Sequence, residues 1–250
     1  MAFKVNDINK DLITTFNVIK ENHEQLIYGL NRLKITYSEH PQQEELYYTL
    51  RNEYNNIINE INTDADVCYD TLCRLELIDY ENDLVPTSKH PNLLIALLFI
   101  FLNKTCFRGL YRVNKHNQFN VPFGHYKNPS FINESEIIEL NKLFQHVEFH
   151  NEDYITFIEN NLGDDNVIYL DPPYYGTFND YSSLNFDHGG LVEECQKLAT
   201  IGKIIISNSD SFYDKYKNDL TMYQLSTFTI NDKINSKSPN STRNEIILNN

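Results

Sequence analysis

Two short runs constrain the fold more than any other feature of the chain: Asn166–Leu170 (NVIYL) and Lys203–Ser207 (KIIIS). Each is almost continuously apolar instead of alternating, rich in β-branched residues, and too short for an ordinary helix. Strands buried on both faces read this way, and such strands belong to parallel sheets covered by helices. Between them LVEECQKLA (Leu191–Ala199) has helical spacing, and SFYDKYKN (Ser211–Asn218) repeats it after the second run. Upstream, HVEF (residues 146–149) reads as a short strand and YITFIENNL (residues 154–162) as a helix. Downstream, MYQLSTFTI and RNEIIL predict a closing antiparallel pair. The expectation is an α/β fold with a parallel sheet and an antiparallel edge.

The first half of the chain is different. FKVNDI reads as the end of a strand, followed by an amphipathic helix through Leu12, Ile13, Phe16, Ile19 and Leu26. A second helix is predicted over Gln43–Ile61, a less regular, partly acidic stretch over Asp64–Asp83, and an apolar helix from Pro91 to about Cys106. GLYRVNKHNQFNVPFG then predicts a hairpin whose polar tip lets Asn117 take a positive φ. Asn133, three residues before Glu136, caps a helix running to Phe144. The helical middle, residues 31–144, reads as an insertion into an α/β domain built from residues 1–30 and 145–250.

The net charge of −14 argues against a polyanionic partner until its distribution is considered. From Leu84 to Asn133 there is no acid, while Lys89, Lys104, Arg108, Arg112, Lys115 and Lys127 give +6. Such a segment is either the footprint of a phosphate backbone or a helix and hairpin that merely lack acids. Cys68, Cys73, Cys106 and Cys195 have no paired metal-ligand spacing and read as reduced thiols. The start has no signal-peptide pattern, and the longest apolar run, Leu93–Leu102, is about half a membrane span. An intracellular protein with no metal and no membrane partner is expected.

Asp171-Pro172-Pro173-Tyr174 follows NVIYL directly, where an open α/β sheet places its ligands. An exocyclic amine of a nucleobase is a poor nucleophile, because its lone pair is delocalised into the ring. A carboxylate and a rigidly held carbonyl, here Asp171 and Pro172, each accept one of its hydrogens, and the Tyr174 ring offers a stacking face. The plain alternative is a proline-stiffened turn with an exposed tyrosine.

This stretch resembles the D-P-P-Y motif of N6-adenine DNA methyltransferases, and other segments resemble the Dam-type branch of that family. They are Leu102–Pro129, which is similar to its target-recognition hairpin, Asn6–Asn22, Tyr47–Asn55, Ile206–Asp210 and STRNEIIL. The resemblance implies a Rossmann-like, S-adenosylmethionine-dependent methyltransferase sheet with an inserted helical and β-hairpin target-recognition domain, its reading hairpin spanning residues 108–124. It assigns Asp171, Pro172, Pro173 and Tyr174 to the target adenine, with direct methyl transfer to the amino nitrogen. It assigns Asp7 to the cofactor ribose, and Asp153 and Tyr154 to the cofactor adenine; Asp153 also suits a helix cap. Arg108, Arg112, Asn114, Lys115, Asn120 and Pro122 are implied contacts to double-stranded DNA, with GATC as the implied site.

The family's glycine-rich turn, which follows its first strand, has no counterpart here. The sheet is therefore expected to lack that strand. This implies a truncated product, a subunit completed by a second chain or by self-association, or a DNA-binding remnant without catalysis. RNA or a protein amide is a further possible acceptor, since related motifs serve other planar amines; the basic hairpin disfavours the protein.

Overall fold

A computed structural model describes residues 3–58, 64–78, 90–161, 166–176, 186–231 and 242–250. The chain divides into two compact units, Met1–Phe157 and Ile158–Asn250, each with its own sheet.

In the first unit β1 (Phe3–Asn6) pairs in parallel with β2 (Val147–His150), Asn6 lying opposite His150. Helix α1 (Lys10–Glu39) starts at Asn9, whose side chain accepts the Asp11 and Leu12 N–H groups. The helix is kinked at Asn22 (φ −136°, ψ 35°). There the side-chain amides of Asn141 and Gln145 donate to the Ile19 and Lys20 carbonyls, replacing helical bonds with side-chain ones. Helices α2 (Gln43–Ile58), α3 (Ala65–Arg74), α4 (His90–Thr105) and α5 (Glu134–Phe144) complete the unit. Leu93, Leu94, Leu97, Leu98, Phe101 and Leu102 make α4 apolar on nearly every side, and α1, α2 and α3 pack around it.

Several expectations change. The stretch read as irregular contains α3, capped by Asp64. Its buried positions, Cys68, Thr71 and Leu72, are helically spaced but weakly apolar, which hid the period. The second predicted helix is described as far as Ile58; residues 59–63 and 79–89, with the rest of the acidic stretch and Lys89, lie outside the described residues. Helix α1 runs from Lys10 to Glu39, and the compact units divide at 157/158.

Beyond α4, a 3-10 turn at Phe107–Gly109 leads into the hairpin. Its legs are held by isolated bridges, Cys106 with Phe123 and Val113 with Phe119, not by a regular ladder. Asn117 has φ +56°, as its place at the tip requires. Helix α5 begins at Asn133, whose side chain accepts the Glu136 N–H.

Helix α6 (Tyr154–Asn161) runs across the division between the units. The second unit has a four-stranded sheet in the order β3-β4-β6-β5. Its strands are β3 (Val167–Leu170), β4 (Lys203–Ser209), β5 (Gln224–Asn231) and β6 (Thr242–Asn249), with helices α7 (His188–Leu198) and α8 (Asp210–Tyr216). β3 and β4 are parallel and the other pairs antiparallel. NVIYL was expected to be buried on both faces, yet Val167 is 54% and Tyr169 59% exposed. Among the described residues β3 has one paired neighbour, and its other edge is open.

Gly29 sits where α1 meets α4. A Cβ there would lie 2.7 Å from Leu97 Cδ2 and 2.8 Å from the Leu77 carbonyl oxygen, and the carbonyl belongs to backbone that cannot turn away. Gly29→Ala should therefore destabilise the chain by about 1–3 kcal/mol, overriding the helix propensity gained. Urea unfolding checks this; an unchanged or raised midpoint would mean the helices part freely.

Candidate functional site

Asp7 follows β1 directly, and Asp153 lies three residues past the end of β2, so both acids stand at the carboxyl end of the same parallel pair. The turn between them is tightly tied. The Asn6 side chain donates to the Glu152 carbonyl and accepts the Glu152 N–H, each at 3.0 Å. Asn151 donates its side-chain amide to the Asp7 carbonyl at 2.8 Å. Asp7 Oδ1 accepts the Asn9 N–H at 2.7 Å, which sets up the cap of α1. Asp153 Oδ1 accepts the Ile155 N–H at 2.9 Å, so it shapes the start of α6 as anticipated. Tyr154, half-buried, is the first residue of that helix.

One turn into α1 lies a group that sequence reading missed. Asp11 is 8% exposed and accepts the Tyr54 hydroxyl at 2.6 Å. The Tyr54 and Tyr111 rings both pack against Phe119, with centroids 6.2 and 5.8 Å away. Burial raises the Asp11 carboxyl above its ordinary value, with the Tyr54 bond and Lys10 opposing it. Burial likewise pushes Tyr111 up to about 12.

The hairpin carries the six residues implied as DNA contacts, and they divide into two kinds. Arg108, Lys115 and Pro122 are exposed, with the Arg108 guanidinium 5.3 Å from the Phe107 ring centroid. Arg112 and Asn120 are half-buried and hold each other across the legs: Arg112 Nε donates to Asn120 Oδ1 at 2.7 Å, and Arg112 Nη2 to the Asn120 carbonyl at 3.3 Å. Asn114 Oδ1 accepts the His116 and Gln118 N–H groups and closes the tip.

In the second unit, Asp171-Pro172-Pro173-Tyr174 leaves the carboxyl end of β3, with Asp171 exposed and the other three half-buried. The adjacent end of β4 fixes it. Ser207 Oγ donates to Asp171 Oδ1 at 2.7 Å and accepts the Tyr169 hydroxyl at 3.1 Å. Asn208 Oδ1 accepts the Tyr175 N–H at 2.9 Å, and Ser209 and Ser211 donate to the Tyr175 carbonyl at 2.8 and 3.1 Å. Gly176 closes the loop with φ +76°. The Tyr174 hydroxyl donates to Glu245 Oε2 at 3.4 Å, and burial, ahead of its charged neighbours, raises its pKa, keeping it neutral. Of these anchors Ser207, Asn208, Ser209 and Glu245 lie in the segments ISNSD and STRNEIIL, whose sequence alone does not mark them as site residues. Among the described residues no cluster of His, Cys, Asp or Glu suits a metal ion, and no helix is long and apolar enough to cross a membrane.

Comparison with known proteins gives the family. The profile of the D12 class N6 adenine-specific DNA methyltransferases matches residues 3–237, and the chain belongs to that family. It is 30% identical over 216 residues to the type II methyltransferase M.MjaIII of Methanocaldococcus jannaschii, covering 82% of this chain and 64% of that protein. It is 32% identical over 215 residues to the retron Ec67 DNA adenine methylase of Escherichia coli, covering 84% and 62%. The DNA adenine methylase of Salmonella typhi is 29% identical over 207 residues, covering 81% and 60%. The chain thus spans a little over three fifths of these relatives.

The Asp11 shift has a defined sign. A carboxyl raised by folding contributes stability below its unfolded value, about 3.8, and that contribution is lost as pH rises through the folded value. Asp11→Asn removes this dependence while keeping an acceptor for Tyr54. Its stability relative to the parent should rise with pH over that window and then level off. A difference constant across the window, in unfolding curves taken from about pH 3.5 to 7, would place the Asp11 charge in water.

Proposed function

We propose that this chain methylates the N6 amine of adenine in double-stranded DNA, using S-adenosylmethionine. The observation that carries the reading is the Asp171–Ser207 bond. It holds one carboxylate oxygen in place, so that the other faces outward on a loop stiffened by two prolines. Asp171 and the Pro172 carbonyl accept the two amine hydrogens and leave the nitrogen lone pair free to react; Tyr174 stacks on an extruded base. S-adenosylmethionine supplies the methyl group. Asp7 and Asp153 suit its ribose hydroxyls and adenine amine, because each spends one oxygen on the local turn and keeps acceptor capacity for a ligand; Tyr154 packs on the ring. The hairpin engages the duplex, Arg108 and Lys115 through phosphates, Pro122 beside the bases, and Arg112, Asn114 and Asn120 by keeping the reading surface in shape. GATC is the site the hairpin's similarity favours.

Among the described residues β1 and β3 each have one paired neighbour, which favours a second element in this reading. Phe3 is 57% and Val5 39% exposed on β1, as are Val167 and Tyr169 on β3. Apolar strand edges of this kind call for a further paired strand. A preceding segment, a second chain or a second copy supplying that strand would also supply the glycine-rich turn. A DNA-binding remnant without catalysis is the alternative.

Asp171→Ala should lower methyl transfer by at least about 100-fold while leaving duplex affinity within about twofold, because the residue acts on the reacting amine. Loss of both together would give Asp171 a structural role instead. Lys115→Ala should flatten the salt dependence of duplex binding by about one unit of slope, with unchanged thermal stability. An unaltered slope would remove the hairpin tip from the DNA.

A further inference from the structure

Helix α2 lies between the hairpin and the start of α1, and one of its faces is spent almost entirely on hydrogen bonds to other elements. Tyr47, Arg51, Tyr54 and Asn55 are spaced four, three and one residues apart, which puts them on one side of the helix. The Tyr47 hydroxyl and an Arg51 guanidinium nitrogen donate to the Val121 carbonyl at 2.8 and 3.3 Å. Asn55 holds the Phe119 backbone by both its groups, accepting the N–H at 2.8 Å and donating to the carbonyl at 3.1 Å. The second leg of the hairpin is thus paired to helix side chains much as it would be to a neighbouring strand.

The same face reaches the other way. Tyr54, fully buried, donates to Asp11 in the first turn of α1 and also meets Tyr111, the residue before Arg112 on the first leg. Asn9 caps α1, donating its backbone N–H to Asp7 Oδ1 and accepting the Asp11 N–H on its side chain. Hydrogen bonds therefore run from Asp7 through Asn9 and Asp11 to Tyr54, and the Tyr54 and Tyr111 rings both pack against Phe119, with centroids 6.2 and 5.8 Å away. Burying a carboxylate and two phenols is costly, and an apolar cluster of similar volume would pack the helices at least as well. A polar cluster retained in such a place fixes a particular register between the elements it joins.

We propose that Tyr54 and Tyr111 are positioning residues that lock the reading hairpin to the Asp7 turn, so that a change at that turn is felt at the hairpin. The proposal rests on the functional reading above only in calling one end the cofactor side and the other the DNA side.

The test uses the full chain and two readouts. The first is site-resolved amide hydrogen exchange at Phe119, whose N–H is held by Asn55 Oδ1. Asp7→Ala should speed that exchange about fivefold, and the same change should have no effect in a Tyr54→Phe, Tyr111→Phe background. Amides within α4 serve as the control for general loosening and should be unmoved. The second readout is duplex affinity, where Asp7→Ala should weaken binding about fivefold in the parent and not in the double-Phe background. Exchange at Phe119 that ignores Asp7→Ala, or responds equally in both backgrounds, overturns the coupling. If the double-Phe chain does not fold, Tyr54→Phe alone, which removes the bond to Asp11, replaces it, with the same two outcomes. Coupling seen in exchange without duplex binding by the parent would uphold the lock and sink the DNA reading, so the two failures are distinguishable.

Discussion

Parallel pairing sets the carboxyl ends of neighbouring strands side by side, and each group of candidate residues in this chain depends on it. In the second unit β3 and β4 run together with Leu170 opposite Ile206, so the next residues along, Asp171 and Ser207, meet within hydrogen-bond distance. The rest of the Ser207–Ser211 segment then grips Tyr175, and the two prolines have a fixed base to stiffen. In the first unit the pairing of β1 with β2 places Asn6 opposite His150, and the Asn6–Glu152 tie holds Asp7 and Asp153 at one end. An antiparallel pair would put one of each couple at the opposite end of its strand. The placement of Asp171 beside Ser207, and of Asp7 beside Asp153, follows from strand direction before any single side chain is considered.

The polar interior of the first unit has a different origin. Its apolar core around α4 is large enough to hold α1, α2 and α3 together without help. The Asp11, Tyr54 and Tyr111 cluster adds little to that cohesion, and the raised Asp11 carboxyl marks it as a cost near neutral pH. What it supplies is register. The hairpin has two isolated bridges in place of a ladder, and its second leg is held by Tyr47, Arg51 and Asn55. The hairpin takes its shape from bonds across its legs and from the helix beneath it.

Much of this was legible in the residues. The uninterrupted apolar runs gave β3 and β4 and their direction, because period and length separate a buried strand from a helix. Pro91, Asn117 and Asn133 marked a helix start, a hairpin tip and a cap through backbone rules that need no tertiary context. Helix α3 was not legible, since Cys68 and Thr71 carry its buried face with little hydrophobic contrast. The exposure of Val167 and Tyr169 was also hidden, for a strand's sequence records the environment it suits and not which neighbours are present. Ser207, Tyr54 and Tyr111 escaped as site residues because their roles exist only once distant segments meet; Tyr54 and Asp11 are 43 residues apart in sequence. The bond of the Arg112 guanidinium to Asn120 across the hairpin legs was likewise not legible, since it too depends on the folded hairpin.

Asp171, exposed at the carboxyl end of β3 and bonded to Ser207, makes the central claim chemical and directly measurable. The chain is incubated with S-adenosylmethionine labelled at the methyl group and with duplex DNA containing GATC, and the nucleosides are resolved by mass spectrometry. The account predicts label on the N6 of adenine and on no other base. Unlabelled adenine, from a folded sample shown to bind both the cofactor and the duplex, would contradict it.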